Sequence, residues 1–371
     1  MIIRSEEIKD MCSTILAAVD SSDITVVAET LQLKSEGTVL TIAVTNREYY
    51  ASVSMDVGEE LELNATVNAM LFLKLISQIT TDTIDLEVKG NNLVVVGNGT
   101  YKLPMIFDGD ALLELPKIKI DNVTTEFKIS SDKLNSVAVY NSKELQKGTI
   151  TKAIQKLYYM DECGAITFTT GACVNTFSLE KPIKILMSSK VVKLFKLFKD
   201  CDVDFTLGCD MVGDFTQTKA KFSNDKISIT AILPMDDSTV NSVPVSALRN
   251  RAFCEYPYTV MLDRDELLQT LNRLLLFKSA NSFIKPYCTV TFTEDSVKVV
   301  DMSETNSEVL HYVNTTLPNG TVYTALLDVT DLKLTLDSCS EKYLSVSFGD
   351  SRAFMISRGN IKNVMPEMKR R

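Results

Sequence analysis

Four lysines recur at three-residue intervals in residues 188–200, whose sequence is SSKVVKLFKLFKD. At about 100° per residue, one side of a helix formed by this stretch is apolar and carries Val191, Leu194, Phe195 and Phe198. The opposite half carries four ammonium groups, those of Lys190, Lys193, Lys196 and Lys199. The spacing therefore predicts an amphipathic helix with a cationic surface. On an isolated helix, such a surface is usually only a solvated face.

Residues that could catalyse a reaction are sparse. The single histidine, His311, lies in the strand-like sequence EVLHYVN without a serine or cysteine motif nearby, which argues against a catalytic triad. The sequence contains no phosphate-binding glycine loop, no G-x-G-x-x-G and no H-E-x-x-H. The carboxylate pairs Asp236/Asp237 and Asp202/Asp204 could hold Mg²⁺ in principle but lack an evident third ligand. We therefore expect no enzymatic activity, no metal site and no cofactor.

Composition indicates a globular protein that stays in the cytoplasm. The chain has 371 residues, of which 45% are hydrophobic and 23% charged. No apolar run approaches the length of a membrane span, and the start MIIRSEEIKD lacks a signal-peptide pattern, so we expect no membrane partner. Eight cysteines without a C-x-x-C pair are typical of buried thiols in a reducing compartment. The formal charge of −9 argues against a surface covered by nucleic acid, although a local basic lining remains compatible with it.

The elements that would position these residues recur along the chain. Most of the sequence alternates as strands do, and it is punctuated by turn dipeptides such as Gly90-Asn91 and Asn319-Gly320. One set of amphipathic helices is predicted at residues 4–19, 129–140 and 262–277, the last opening with Asp263 and Glu266 spaced as in a capping box. A second set is predicted at residues 63–79, 185–200 and 326–339. The strands that follow the second set, TIDLEV, DVDFTL and YLSVSF, resemble one another.

This rhythm predicts three copies of one unit. Each copy closes with an apolar strand that leads into a proline, namely Pro104, Pro234 and Pro366. We predict an α+β protein of three modules, residues 1–122, 123–250 and 251–371, each with two helices packed on antiparallel sheets. The boundaries, near residues 121–125 and 250–254, are expected to be polar or mixed segments between two strands.

With the repeat in place, the chain resembles the bacterial-type DNA sliding clamp, the beta subunit of DNA polymerase III. In the first module, AVTNREYYASVSM (residues 43–55) is similar to the family's A-T-D-x-E strand. In the second, FTTGACV (residues 168–174) stands where the family has V-A-T-D-G-H-R-L. In the third, NVMPEM (residues 363–368) is close to the family's V-M-P-M-R-L. Ala172 and Cys173 replace the His-Arg pair and Glu367 interrupts the last motif, which suggests a divergent member and is compatible with a bacteriophage origin.

The resemblance implies a closed ring of two head-to-tail subunits, a homodimer, that encircles double-stranded DNA without reading its sequence. Each chain would form half of the ring, with helices lining the hole. Such a clamp is a processivity factor that tethers the DNA polymerase and is placed on DNA by a clamp loader. The implied DNA-contacting residues are cationic side chains on or after the helices: Lys190, Lys193, Lys196, Lys199, Lys74, Lys133, Lys143, Lys147 and Arg273. The helix at residues 326–339 fits less well, because Asp328, Asp331 and Asp337 oppose only Lys333.

The resemblance also implies an apolar cleft between the second and third modules, where short peptide motifs of the polymerase and the loader bind. By motif position, the cleft would comprise Thr170, Gly171, Ala172, Cys173, Val174, Pro244, Val364, Met365, Pro366 and Met368. A plain terminal strand is the alternative for Met365 and Pro366. For the whole chain, the main alternative is a β-rich structural or assembly protein of a virion with no DNA-tethering role. A nearer alternative is a processivity factor that acts as a monomer or trimer.

Overall fold

The computed structural model describes residues 2–20, 25–60, 62–136, 157–168, 171–234, 240–241, 243–277, 286–349 and 353–368. Two compact units are present. Unit 1 comprises Met1–Leu134 and Lys190–Met235, and unit 2 comprises Asn135–Ser189 and Asp236–Arg371. The middle predicted module therefore contributes to both units. The module bounds at residues 122 and 250 stay a prediction.

Strands make up most of the described chain, as the alternating sequence predicts. In chain order they are β1 (Ile2–Arg4), β2 (Thr30–Glu36), β3 (Val39–Thr45), β4 (Tyr49–Asp56), β5 (Asn64–Asn68), β6 (Thr83–Lys89), β7 (Asn92–Val96), β8 (Thr100–Pro104), β9 (Phe107–Asp108), β10 (Ala111–Leu112), β11 (Val123–Ser130), β12 (Leu157–Asp161), β13 (Gly164–Phe168), β14 (Ala172–Thr176), β15 (Lys184–Ser188), β16 (Asp202–Val212), β17 (Phe215–Ser223), β18 (Ile227–Ile232), β19 (Tyr258–Asp263), β20 (Tyr287–Phe292), β21 (Ser296–Val300), β22 (Ser307–His311), β23 (Asn314–Thr315), β24 (Tyr323–Asp328), β25 (Tyr343–Phe348), β26 (Ala353–Arg358) and β27 (Ile361–Pro366).

The described helices are short. They are α1 (Ser5–Leu16), α2 (Ala69–Gln78), α3 (Ser131–Asn135), α4 (Ser189–Val192), α5 (Val245–Phe253), α6 (Arg264–Leu275) and α7 (Val329–Asp337), with 3₁₀ turns at Val26–Glu29 and Lys193–Leu197. Together with the antiparallel sheets they confirm the α+β class. Of the predicted helix at residues 129–140, the part from residue 137 onward lies outside the described residues.

Capping side chains fix where several helices begin. Asn68 accepts a hydrogen bond from the backbone N–H of Leu71 at the start of α2, and Asp328 caps α7 in the same way. These helices begin six and three residues later than predicted, at 69 instead of 63 and at 329 instead of 326. The residues ahead of each cap belong to β5 and β24, because their backbones pair with β2 and β20. The predicted cap Asp263 is confirmed, since its carboxylate accepts from two N–H groups of α6.

Unit 1 contains an eight-stranded antiparallel sheet of order β11-β16-β17-β18-β4-β3-β2-β5, a four-stranded sheet of order β1-β6-β7-β8, and the pair β9–β10. In the large sheet, β18 pairs with β4 through Ile227 opposite Val53 and Ala231 opposite Tyr49. This pairing joins strands of the first and second predicted modules. Helices α1 and α2 pack against each other, and α1 buries Ile8, Cys12 and Ile15 while α2 buries Phe72, Leu73 and Ile76.

Unit 2 contains a nine-stranded antiparallel sheet of order β15-β12-β13-β14-β27-β26-β25-β19-β23 and a four-stranded sheet of order β22-β21-β20-β24. Here β14 pairs with β27, which joins strands of the second and third predicted modules. One core cluster lies beneath α6 and α7 and includes Leu271, Leu336 and Met365. Within it, the rings of Phe292 and Phe348 stack with centroids 4.0 Å apart.

The expected linker near residues 250–254 is wrong in one respect. The structure has the helix α5 over Val245–Phe253, instead of a mixed segment between two strands. The sequence did not predict this helix, because most of its side chains contact solvent and show no apolar periodicity. Ala252 is the only residue of this helix that is buried, so the sequence VSALRNRAF lacks a clear apolar stripe.

The residues considered for chemistry have ordinary surroundings. All eight cysteines are free thiols, but only four of them, Cys12, Cys173, Cys288 and Cys339, are buried as predicted. His311 is exposed at the end of β22. Asp236 and Asp237 lie outside the described residues. Within the residues that the structure describes, no group of three His, Cys, Asp or Glu side chains could hold a metal ion. Over the same residues, no helix combines the length and the apolar character that a membrane crossing requires.

Candidate functional site

The lysine-rich segment folds as one turn of α-helix, α4, followed by the 3₁₀ turn Lys193–Leu197. The prediction of a continuous helix over residues 185–200 is therefore wrong, because β15 occupies its beginning and the extended backbone of Phe198 ends it. In a 3₁₀ turn, residues three apart lie on the same side. Lys193 and Lys196 consequently share one side of the turn.

The apolar side of this segment packs as predicted. Val191, Leu194, Phe195 and Phe198 are all buried. The ring of Phe195 contacts that of Phe222 at 4.7 Å between centroids, and Phe222 in turn contacts Phe205 on β16 at 5.2 Å. Burial of these aromatic rings holds the segment against the large sheet of unit 1. The lysine side chains are thereby left on the side away from the sheet.

Lys190 is bound into an ion pair. Its ammonium lies 3.0 Å from the carboxylate of Asp20, which is 4% exposed, and 3.7 Å from that of Glu48. The same Asp20 oxygen accepts a hydrogen bond from the side-chain amide of Asn46 at 3.0 Å. Asn46 also shapes the β3–β4 turn by accepting the backbone N–H groups of Glu48 and Tyr49. Much of the Lys190 charge is therefore used within the protein.

The other three lysines of the segment differ in exposure. Lys193 is half-buried, and burial lowers the pKa of its ammonium although Asp20 opposes the change. Lys196 and Lys199 are exposed. Because exposed ammonium groups on flexible stems are the ones that can reach an external anion, Lys196 and Lys199 are the stronger candidates for contacts with phosphate.

The remaining candidate cations have mixed surroundings. In unit 1, Lys74 is exposed on α2 and Lys133 is half-buried on α3. In unit 2, the guanidinium of Arg273 binds both carboxylate oxygens of Glu308, with the Nε–Oε1 distance at 2.7 Å. This carboxylate raises the pKa of Arg273 and offsets part of its positive charge. Lys143 and Lys147 lie outside the described residues.

The acidic residues of α7 have structural roles. The carboxylate of Asp328 caps the helix, and Asp331 is buried within the first turn. Only Asp337 is an exposed acid, and Lys333 is half-buried on the same helix. Two of the three carboxylates therefore have roles within the helix. The electrostatic repulsion of DNA by this helix should be weaker than the number of its carboxylates indicates.

The structure brings most of the predicted cleft residues together within unit 2. Ala172 on β14 lies opposite Val364 on β27, and α5, which begins after Pro244, packs against both strands. A side chain at Gly171 would overlap the carbonyl oxygen of Val364, so glycine is needed where the chain enters β14. Thr170 lies outside the described residues.

The side chains of this site divide into a buried floor and an exposed rim. The floor comprises the buried side chains of Ala172, Val174 and Val364, which alternation along the strands places on one face of the sheet. The side chains of Cys173 and Met365 are also buried but lie on the opposite face, where Met365 belongs to the core cluster. Burial raises the pKa of the Cys173 thiol to about 12, so it acts as a small apolar group. The rim comprises Pro244, Pro366 and Met368, which are exposed.

The terminal segment after β27 is attached to β24. The hydroxyl of Tyr323 donates to the carboxylate of Glu367, and the N–H of Met368 donates to the carbonyl of Leu326 at 2.8 Å. Glu367, which departs from the family motif, therefore has a local partner in this chain. The attachment places Met368 beside β24.

One ion pair near this site was missed in the sequence. The guanidinium of Arg249 on α5 binds both oxygens of Asp161 at the end of β12, at 2.8 and 2.5 Å. The hydroxyl of Tyr159 and the N–H of Cys163 also donate to this carboxylate. The side chains of Arg249 and Asp161 are only 20% and 9% exposed. The pair therefore fixes α5 to the sheet that carries β14 and β27.

A cavity of about 150 Å³ lies elsewhere in unit 2, beneath α6. Leu271, Leu274 and Cys288 line it, together with other mainly apolar side chains. None of the predicted cleft residues lines this cavity.

No protein-family model and no curated protein sequence matches the chain. Solved structures do match. The DNA polymerase III subunit beta of Pseudomonas aeruginosa is similar with a TM-score of 0.75 and 14% identity, over 100% of this chain and 99% of that chain. The DNA polymerase sliding clamp of Bacillus subtilis is similar with a TM-score of 0.74 and 12% identity, over 100% and 99% of the two chains.

The chain has the fold of a DNA sliding clamp. A third clamp with this fold, from Helicobacter pylori, was solved bound to a DNA ligase peptide, with a TM-score of 0.70, 16% identity, and coverage of 100% of this chain and 99% of that chain. The resemblance read from sequence motifs is thus confirmed for the fold. The low identity agrees with the expected divergence.

Proposed function

We propose that this chain is a DNA sliding clamp, a non-enzymatic processivity factor. Two copies associate head to tail into a ring around double-stranded DNA, and the ring tethers a replicative polymerase. The observation that carries the proposal is the full-length similarity to clamp structures, which extends over 100% of this chain. The repeat of three modules at residues 1–122, 123–250 and 251–371 fits such a ring. The protein would act in the cytoplasm of a bacterium or of a host infected by a bacteriophage.

The proposed contact with DNA is electrostatic and independent of sequence. Lys193, Lys196 and Lys199 supply mobile point charges to phosphates, with Lys74 and Lys133 as further contacts in unit 1. Lysine suits a surface that slides, because the rigid guanidinium of arginine would bind phosphate bidentately. The net charge of −9 discourages adhesion of nucleic acid to the rest of the surface.

The proposed partner site is the β14–β27 strand pair with α5. Peptide motifs of the polymerase and the clamp loader would place apolar anchors against Pro244, Pro366 and Met368, above the buried floor. The peptide-bound clamp of H. pylori supports this mode of binding. Methionine suits a site with several partners, because its unbranched side chain adapts to different shapes.

The oligomer should have twice the chain mass of 41.3 kDa in sedimentation equilibrium at micromolar concentration. The ring should also be retained on closed circular DNA after loading and be released when the circle is cut once. Release on cutting tests topological linkage, because a protein held by contacts alone would stay bound.

A stable monomer that stimulates no polymerase would contradict the clamp proposal. Large regular assemblies that do not bind DNA would favour a structural protein of a virion. The matched control is nicked circular DNA, which relaxes supercoils without opening the circle and should retain the ring.

Truncation after Pro366 should abolish polymerase binding and leave the dimer intact. The shortened chain keeps Met365, which is buried in the core cluster, and loses Met368, which is exposed at the rim. Fluorescence anisotropy with the replicative polymerase of the same genome measures the loss. Truncation after Met368 is the matched control, since it removes only Lys369, Arg370 and Arg371. Equal binding by the two truncated chains would place the partner site elsewhere.

A further inference from the structure

The strand β16, which pairs with β17 as a hairpin, is longer than its counterparts β6 and β25 in the other two repeats. β6, β16 and β25 begin with the related sequences TIDLEV, DVDFTL and YLSVSF. β6 has 7 residues and β25 has 6, whereas β16 has 11. The neighbouring strands stop early, since β11 pairs only as far as Gly208 and β18 only as far as Lys219. Residues 211–216 therefore end a two-stranded arm, and no third strand pairs with it among the residues that the structure describes.

The end of this arm is apolar. Met211 is 66% exposed, Val212 51% and Phe215 79%. Val212 and Phe215 lie opposite each other across a turn in which Gly213 has a φ of +61°. The corresponding turn after β6 is polar, with the sequence KGNN at residues 89–92. The turn of such a hairpin can therefore form from polar residues alone. The exposure of Met211, Val212 and Phe215 to water is not required by the turn and needs another explanation.

The base of the arm is held firmly. The carboxylate of Asp210 accepts hydrogen bonds from the ammonium of Lys219 at 2.9 Å and from the N–H of Asn122 at 2.8 Å. These bonds, led by that from Lys219, lower the pKa of Asp210 to about 2. Lys219 also donates to the carbonyl of Lys119 at 2.9 Å. A fixed base reduces the conformational entropy that the exposed residues lose when they bind.

The charges of the arm indicate the chemistry of its partner. Residues 209–218, CDMVGDFTQT, contain no lysine or arginine, and Asp214 is the exposed charge at the turn. Phosphates of DNA and anionic lipid surfaces would both be repelled. Protein interfaces, in contrast, commonly anchor on an aromatic side chain inserted into an apolar pocket. A lysine or arginine at the edge of that pocket would complement Asp214.

We propose that Met211, Val212 and Phe215 form a docking tip that inserts into an apolar, cation-edged groove of the tethered polymerase. The inference rests on the proposed clamp function. A peptide motif bound at one cleft leaves the polymerase free to rotate about that attachment. A second contact on the same clamp acts at high effective concentration and lengthens the residence time of the polymerase.

Phe215→Asp tests the docking tip in the full-length protein. We expect the Kd for the replicative polymerase of the same genome, measured by biolayer interferometry, to rise about tenfold, as loss of an aromatic anchor does. The dimer mass and the melting temperature should not change, because Phe215 is 79% exposed. Asn91→Asp is the matched control, with the same change of charge at the corresponding turn of the first repeat, and should leave the Kd within about twofold.

Other results would overturn the proposal in distinguishable ways. If wild-type protein binds the polymerase and stimulates it, and Phe215→Asp does so equally, the docking tip is wrong and the clamp function stands. Impaired loading with unchanged polymerase binding would assign the tip to the loader. Loss of the dimer in Phe215→Asp would make the tip a contact between copies. If wild-type protein neither binds nor stimulates the polymerase, the clamp function and the docking tip both fail.

Discussion

Asp161→Asn is expected to lower the free energy of unfolding by about 3 kcal/mol, the lower end of what breaking a buried ion pair costs. The asparagine keeps the shape of the aspartate but leaves the guanidinium of Arg249 without a counter-charge in a largely buried position. The hydroxyl of Tyr159 and the N–H of Cys163 both donate to the carboxylate of Asp161. The NH₂ group of the asparagine is itself a donor, so it cannot accept either of these hydrogen bonds. Urea denaturation followed by circular dichroism measures the loss.

Two further variants separate the ion pair from general effects of substitution. In the double variant Asp161→Asn, Arg249→Met, neither charge of this pair remains, so we expect most of the stability to return. Glu36→Gln breaks the exposed pair with Lys34 and should cost less than about 1 kcal/mol. A loss below about 1 kcal/mol for Asp161→Asn would show that water reaches Arg249 and that the pair does not hold α5.

The sequence predicted those features that depend on neighbours along the chain. Apolar periodicity located the buried sides of α1 and α6, because an α-helix brings residues three and four apart to the same side. The aspartate at residue 263 marked the start of α6, because its side chain caps N–H groups two and three residues later. The same locality explains an error. In the lysine-rich segment the apolar spacing fits an α-helix and a 3₁₀ turn about equally well.

Features that depend on distant partners could not be read in this way. The pairing of β18 with β4 and of β14 with β27 joins strands of different repeats, and a repeat pattern does not state which copies pair. Asp161 and Arg249 are 88 residues apart and belong to no motif. Lys190 looked equivalent to its neighbours, and only the fold reveals Asp20 beneath it. The sequence therefore named candidate residues, but it did not give the partners that these residues contact within the fold.

Lys196→Glu with Lys199→Glu is expected to reduce polymerase stimulation on circular DNA by about tenfold or more without loss of stability. Both side chains are exposed, so neither change disturbs the packing of the interior. Reversing two charges in every copy replaces attraction to phosphates by repulsion. The slope of log K against log salt for DNA binding should fall by about 0.9 for each phosphate that the variant no longer neutralises. Primer extension and salt-dependent fluorescence anisotropy measure the two effects.

Lys190→Glu should behave differently, although it belongs to the same row in the sequence. It places a carboxylate beside the buried Asp20 and the half-exposed Glu48, so it should lower the melting temperature as well as activity. Lys221→Glu with Lys226→Glu is the matched control, because these exposed lysines of unit 1 carry the same charge change on and beside strands of the large sheet. Equal losses of stimulation in the two double variants would mean that overall charge, and not the lysine-rich segment, governs the interaction with DNA.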